Sequence, residues 1–226
     1  MSPLTLAPAD REQVLRYMGT PPDRADESLR DTVTRADAAV RDAARPRWLS
    51  RVCAITHEPE GIRLDCGLLL DGEDIKSHLD GCTRVVILCA TLGAEVDRLI
   101  RAAQHTDLLT ALAADCCASA LIEQLCDRAE EEVQAAFPGC HFPYRYSPGY
   151  GDLPIALNGS LLELLDAPRR LGLCVTASGL LIPRKSVTAI LGVADHPIDN
   201  HKRSCLGCPA QDGCVHRKTG GHCGIS

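Results

Sequence analysis

Ten residues of this 226-residue chain, Arg145-Tyr146-Ser147-Pro148-Gly149-Tyr150-Gly151-Asp152-Leu153-Pro154, set a guanidinium, two phenols and a carboxylate among glycines and prolines. A backbone stiffened by Pro and bare at Gly lets a ligand approach closely, and a fixed guanidinium suits an anionic group such as a carboxylate. A surface turn with ordinary polar decoration has the same local composition, so the loop takes its meaning from the rest of the chain. A second group with chemical potential occupies the last 22 residues, where Cys205, Cys208, Cys214 and Cys223 follow the spacing Cys-x2-Cys-x5-Cys-x8-Cys. Four thiolates on so Gly-rich a segment can close around Zn2+ or an iron–sulfur cluster, and the metal would supply the folding energy the segment lacks. His201, His216 and His222 are alternative ligands. The spacing matches neither a paired zinc ribbon nor a ferredoxin run, so the metal stays open, with free thiols as the other reading.

The elements that must carry these groups follow from apolar periodicity and punctuation. A short helix is expected over 9–18, ended by Gly19 and Pro21-Pro22, and an amphipathic helix over 25–44, stopped before Pro46; both are expected to be peripheral. Two β-prone runs, 51–55 and 61–64, flank the turn-like Glu58-Pro59-Glu60-Gly61 and predict a hairpin. Asp71-Gly72-Glu73-Asp74 is a further turn, opening a short helix over 75–79. The continuous apolar run Val85-Val86-Ile87-Leu88-Cys89-Ala90 predicts a central strand covered on both faces. Helices are expected over 94–104 and from the N-cap Asp107 to about 136, the second apolar nearly all round as far as Leu125 and therefore buried between layers. A helix over 159–165 and strands over 172–176 and 187–193 complete the set. Because strands and helices interleave without regular βαβ spacing, the fold class is α+β: a mainly antiparallel twisted sheet with packed helices. One domain spans 1–200, followed by the Cys-rich tail 201–226.

Composition sets outer limits. With 45% apolar and only 3% aromatic residues, the core must be aliphatic. A net charge of −6 with scattered Lys and Arg gives no phosphate-tracking surface, so nucleic acid is not an expected partner. Met1 to Asp10 lacks a signal-peptide pattern and no uninterrupted apolar run nears the roughly 18 residues of a membrane span, so the expected location is cytoplasmic, with no membrane partner. Thirteen cysteines are many for a reducing compartment. Nine of them, Cys53, Cys66, Cys82, Cys89, Cys116, Cys117, Cys126, Cys140 and Cys174, sit among apolar neighbours and are expected to act as small buried hydrophobes. Neither a dinucleotide fingerprint nor a phosphate loop is present.

Three blocks in order, Arg145-Tyr146-Ser147-Pro148-Gly149-Tyr150, Gly172-Leu173-Cys174-Val175-Thr176 and Pro183-Arg184-Lys185-Ser186-Val187-Thr188, resemble the activation domain of cobalamin-dependent methionine synthase. The Arg-x-x-x-Gly-Tyr core resembles that family's S-adenosylmethionine loop, and Ala114 to Glu123 resembles the helix before it. Similarity extends over roughly 80–195 and is to the short, free-standing forms. The resemblance implies reductive methylation of cob(II)alamin carried by a partner, either a cobalamin-binding methionine synthase module or a corrinoid protein. S-adenosylmethionine would give the methyl group while an electron arrives from a flavodoxin- or ferredoxin-type donor. No Asp-x-His-x-x-Gly signature is present, so the corrin would arrive on the partner.

By the same resemblance, Arg145 would hold the donor's methionine carboxylate, and Ser147 and Gly149 would offer backbone groups. Tyr150 would face the donor or the corrin edge as the catalytic residue, unless it is a phenol packed under its own loop. The family's helix acid matches Ser119 here, and Glu123, one turn on, can replace it or be a solvated or salt-bridged helix residue. Asp152 is a further candidate for the donor site, explained equally by an Asx turn or a helix cap. Lys185 would approach a corrin side chain or the electron donor, unless it is a plain surface lysine. For the tail, the function favours an iron–sulfur cluster over Zn2+, since cobalt reactivation needs one-electron supply. Alternatives are a non-catalytic corrinoid-protein adaptor or metal-binding interaction protein that kept the fold, and a methyltransferase acting on another corrinoid protein or a small molecule.

Overall fold

The structure, a computed structural model, describes residues 5–198. Cys205, Cys208, Cys214, Cys223 and the three tail histidines lie outside the described residues. Helix α1 (Arg11–Tyr17) begins where the Asp10 carboxylate accepts the amides of Glu12 and Gln13, and stops before Gly19, whose φ is +74°. Helix α2 (Glu27–Ala43) is capped by Asp26, which accepts the Leu29 amide at 2.8 Å. Expected at the periphery, both helices form the outer layer of the fold, yet each buries one face. Val14 and Leu15 of α1 and Val33, Ala36 and Val40 of α2 share a core cluster with the long helix described below.

Among the described residues the main sheet holds five strands, β1 (Arg47–Glu58), β2 (Gly61–Leu64), β3 (Leu69–Asp71), β4 (Arg84–Thr91) and β7 (Ser186–Val193), in the order β3-β2-β1-β4-β7, every pair antiparallel. Strands β1 (Arg47–Glu58) and β2 (Gly61–Leu64) make the expected hairpin around Pro59-Glu60, and β3 (Leu69–Asp71) adds an edge that the sequence reading did not anticipate. Strand β1 starts four residues before the β-prone run because it pairs with β4 (Arg84–Thr91) along its first two thirds, from Arg47 opposite Thr91 to Ala54 opposite Arg84. The four residues missed, Arg47, Trp48, Leu49 and Ser50, are exposed or half-buried, so local apolar alternation understated the strand. Helix α3 (Glu73–His78) begins two residues earlier than expected, at the Asp71-Gly72 turn.

The β4 run lies between two layers. Val85, Ile87 and Cys89 enter the cluster under α3, while Val86 and Leu88 meet the helical layer on the other side. That layer is α4 (Ala94–Gln104) and α5 (Leu108–Ala135), both close to their expected bounds. The first turn of α5 departs from the expectation of all-round burial: Leu108 is 74% exposed, and Leu109 and Leu112 are also exposed, because packing begins only at Ala111 and Ala113. Although no continuous apolar run of membrane length was found in the sequence, α5 is long and apolar enough to cross a bilayer, with a mean hydropathy of 1.4 over its most apolar 18 residues; more than half of that window is buried among neighbouring elements.

Helices α6 (Leu157–Leu164) and α7 (Ala167–Leu171) cover the opposite face of the sheet. The expected strand over 172–176 shrinks to β5 (Cys174–Val175), since Gly172 at φ +69° still ends α7 and the Thr176 amide turns back to the Leu180 carbonyl. Strand β5 pairs with β6 (Leu181–Ile182) outside the main sheet, and β7 (Ser186–Val193) follows as expected. Six of the nine cysteines outside the tail are buried, and burial pushes the thiols of Cys89, Cys117 and Cys126 up to about 12. Cys66 and Cys174 are exposed and Cys140 is half-buried, contrary to the expectation for all nine. Cys66 sits in the turn after β2, and Cys174 on the open two-residue strand β5, where neither is covered by a second layer.

Two glycines test this packing. A Cβ at Gly192 of β7 would lie 2.6 Å from Cys82 Sγ and 2.8 Å from Pro143 Cγ, whereas one at Gly159 of α6 meets only Val175 Cγ1 at 3.7 Å. Chemical denaturation is expected to show Gly192→Ala destabilised by about 1–3 kcal/mol through overpacking. Gly159→Ala is expected to be stabilised by about 0.5–1 kcal/mol through helix propensity.

Candidate functional site

The Arg145–Pro154 loop is anchored before it turns. His141 pairs with Ala194, and Tyr146 exchanges both backbone hydrogen bonds with Ile190 of β7, so residues 141–146 run extended along the free edge of the sheet. Successive side chains on an extended segment point to opposite faces. Tyr144 and Tyr146 therefore stack on His78 of α3, with ring centroids 4.4 and 4.8 Å away, and Arg145 turns the other way, toward α5.

There Arg145 meets three carboxylates at i, i+4 and i+7 on one face of α5: Glu123 at 2.8 Å, Asp127 at 2.6 Å and Glu130 at 2.7 Å. The guanidinium is only 14% exposed, while Glu123 and Asp127 are 43% and 63% exposed. Burial opposes the charge on Arg145, but Asp127 and Glu123 outweigh it and hold the arginine pKa above its ordinary value. Glu123 thus stands beside Arg145. Asp127 and Glu130 were missed in the sequence, although the 123, 127, 130 spacing was a readable signal of one acidic helix face.

The same stripe continues toward the N-terminus of α5 through Ser119 and Asp115. Lys185 lies against it: its ammonium donates to Ser119 Oγ at 2.9 Å and to the Asp115 carbonyl at 3.0 Å, and pairs with the Asp115 carboxylate at 3.0 Å. At 12% exposure Lys185 is committed to α5, which accounts for it without a corrin or an electron donor. Ser119, where the resembled family carries an acid, serves here as an acceptor for that lysine.

Past Tyr146 the chain closes on itself. The Tyr150 amide donates to the Ser147 carbonyl at 3.0 Å, the Leu153 amide to the Tyr150 carbonyl at 3.0 Å, and the Gly149 amide to the Leu153 carbonyl at 2.8 Å. The backbone groups expected of Ser147 and Gly149 are therefore partly spent inside the loop. Gly149 has φ +95°, a conformation that favours glycine, and a Cβ there would rest in ordinary contact with Ile155 at 3.8 Å. Tyr150 is 45% exposed and packs edge-on to Tyr146 at 5.9 Å. Ile155, Leu180 and Ile182 are exposed as well, and Ile155 also borders Gly179. These apolar groups had no sequence signal, because an isolated aliphatic residue in a short strand or turn reads as core.

Asp152 does a helix cap's work from 78 residues away. Its carboxylate accepts the amides of Glu73 at 2.6 Å and Asp74 at 3.2 Å, and its own amide donates to Asp74 Oδ2 at 3.1 Å. Gly72 and Gly151 make room: a Cβ at Gly151 would lie 2.1 Å from that Asp74 oxygen. Clefts of about 400 Å3 near Leu6 and Arg41, and of about 370 Å3 near Arg51 and Arg169, are lined by no residue of this loop.

Two measurements probe the site. Arg145→Ala strands three carboxylates together; a fully buried pair broken this way costs about 3–5 kcal/mol, and since two of the acids are half-exposed a loss on the order of 2 kcal/mol is expected in denaturant titration. Burial, then Asp74 and Tyr144, push the Tyr146 hydroxyl up to about 12 from its ordinary 10. A raised folded-state value favours the neutral phenol, so this contribution is intact below pH 10 and declines as pH rises toward 12. Tyr146→Phe is expected to flatten that alkaline decline when stability is measured across it.

No family model matches the sequence, and no curated protein matches it. Among solved structures, the crystal structure of the MetH reactivation domain bound to AdoHcy superposes with a TM-score of 0.59 at 14% identity, covering 95% of this chain and 82% of that one. The chain therefore has the fold of the MetH reactivation domain.

Proposed function

We propose that the chain binds S-adenosylmethionine at the Arg145–Asp152 loop and supports reductive methylation of cob(II)alamin carried by a partner corrinoid protein. The observation that carries the reading is the placement of Arg145. It is fixed on an acidic helix face at the start of a glycine-bearing loop, in a fold shared with a solved structure that holds AdoHcy. Three carboxylates around one guanidinium leave an excess of negative charge. Such a cluster suits a ligand that carries a sulfonium and an ammonium together with its carboxylate. The ligand carboxylate takes a place on Arg145 by displacing Glu123 or Asp127, the two partners most open to solvent, and the released acid then faces the ligand's cationic groups.

Exposed Tyr150, Ile155, Leu180 and Ile182 give the loop an apolar rim against which a corrin-bearing partner would seat and exclude water. In the overall step, the corrinoid substrate gains one electron from an external donor protein, the sulfonium's S–CH3 bond breaks with its electron pair staying on sulfur, and the methyl group passes to cobalt. The chain's own contribution is to bind and orient the donor. An iron–sulfur cluster on the tail cysteines would fit the electron supply.

Calorimetric titration tests binding directly. Saturable one-to-one binding of S-adenosylmethionine is expected, weakened at least about tenfold by Tyr150→Ala, which removes an exposed aromatic contact with little effect on the core. Glu123→Gln is expected to lower affinity for S-adenosylmethionine more than for AdoHcy, which lacks the sulfonium charge. No saturable binding of either ligand would defeat the proposal. The adaptor reading, in which the fold is kept and donor binding lost, then stands; if both ligands bind but a mixture with a corrinoid protein and a reductant shows no cob(II)alamin to methylcobalamin spectral change, a methyltransferase acting on another corrinoid protein or a small molecule is the correct reading.

A further inference from the structure

Far along the chain from the loop, the β1–β2–β3 end of the sheet gathers a different set of groups. Cys53 is on β1 and buried; Asp65 and Cys66 are exposed in the turn between β2 and β3. One ligand atom from each, two thiol sulfurs and a carboxylate oxygen, all lie within 4.8 Å of one another. We propose that Cys53, Asp65 and Cys66 form a binding site for a borderline-soft divalent cation, Zn2+ foremost, with an open fourth position.

The backbone holds the three groups together. The Asp65 amide donates to the Ala54 carbonyl at 3.0 Å, and the Ala54 amide donates to Asp65 Oδ2 at 3.2 Å, which ties the turn to the residue after Cys53. The turn is closed by the Gly67 amide on the Leu64 carbonyl at 2.8 Å, with Gly67 at φ +88°. Zinc–sulfur and zinc–oxygen bonds of about 2.3 and 2.1 Å in a tetrahedron put ligand atoms about 3.4–3.8 Å apart. Closing to that range asks for side-chain rotation at the two exposed residues, Cys66 foremost, since Asp65 Oδ2 is held by the Ala54 amide. Cys53 cannot rotate away, because it is walled in by the core beneath α3.

On binding, the two thiols release their protons to solvent, both sulfurs and the carboxylate bond to the metal, water takes the fourth position, and nothing is oxidised or reduced. Two thiolates with one carboxylate favour zinc over the hard cations Mg2+ and Ca2+. A disulfide between Cys53 and Cys66 would instead leave Asp65 without a part.

The test uses the full chain with Cys205→Ser, Cys208→Ser, Cys214→Ser and Cys223→Ser combined, so that tail thiols do not contribute, and titrates Co2+ as the spectroscopic probe, with Zn2+ as competitor. One equivalent is expected to bind with a thiolate-to-cobalt charge-transfer band that Zn2+ abolishes. Adding Cys66→Ser is expected to remove the band, and adding Asp65→Asn to weaken binding by at least about tenfold; both positions are exposed, so the fold should tolerate the changes. If the fourfold variant does not fold, Cys66→Ser alone in the otherwise unaltered chain should lower the bound metal by one equivalent. The proposal is overturned if the fourfold variant folds and binds no metal, if Cys66→Ser leaves the band or the metal content unchanged, or if Cys53 and Cys66 are found joined in a disulfide after reducing purification. None of these outcomes depends on S-adenosylmethionine binding.

Discussion

A guanidinium that is 14% exposed must be paired, and the pairing of Arg145 with the acidic face of α5 is the constraint from which the geometry of the loop follows. Arg145 and Lys185 approach the same helix stripe from two segments that are neighbours at the sheet edge, residues 141–146 and the start of β7. Lys185 takes Asp115 and Ser119; Arg145 takes Glu123, Asp127 and Glu130. Together they form a polar seam that fixes α5 against the edge over about four helical turns, as the 15-residue separation from Asp115 to Glu130 requires at 3.6 residues per turn. Apolar packing alone would tolerate a helix sliding along its axis. Charges at defined positions do not.

With α5 and β7 registered, the loop between them has little freedom left. Tyr146 is pinned to Ile190, and Asp152 to the first amides of α3, so residues 147–151 span two fixed points on different layers. Gly151 is required there because Asp74 and Tyr146 occupy the space a side chain would need. Gly149 differs in kind: a side chain there would meet only Ile155 at ordinary contact distance, and its positive φ serves the turn. One glycine is therefore set by close packing and the other by backbone conformation.

The sheet, the two-sided burial of β4 and the long helix were legible because each is written in local apolar pattern and length. What was not legible depended on contacts between distant segments. Strand β1 extends to Arg47 because β4 is there to pair with it, and the nearby sequence carries no sign of that. Cys66 was read as buried from its apolar neighbours, yet a turn lifted it out. For the site, the Arg145 to Tyr150 pattern and Glu123 could be singled out in advance. Asp152 carried two equal readings, and only the position of α3 relative to the loop shows its carboxylate on helix amides. Lys185 was ambiguous for the same reason: its ammonium finds its acceptors on a helix 66 to 70 residues earlier in the chain.

The serine at 119 is best understood through that lysine. An acid in its place would add a second carboxylate next to Asp115 and draw Lys185 more tightly, whereas Ser119 accepts from Lys185 and donates its own hydroxyl to the Asp115 carbonyl at 3.1 Å. Negative charge on the stripe is thereby concentrated toward Glu123, Asp127 and Glu130, next to the loop and away from the β7 corner. Ser119 thus leaves Lys185 clamped to a single carboxylate, Asp115, while three carboxylates share Arg145, so that the Arg145 end of the stripe carries the uncompensated charge.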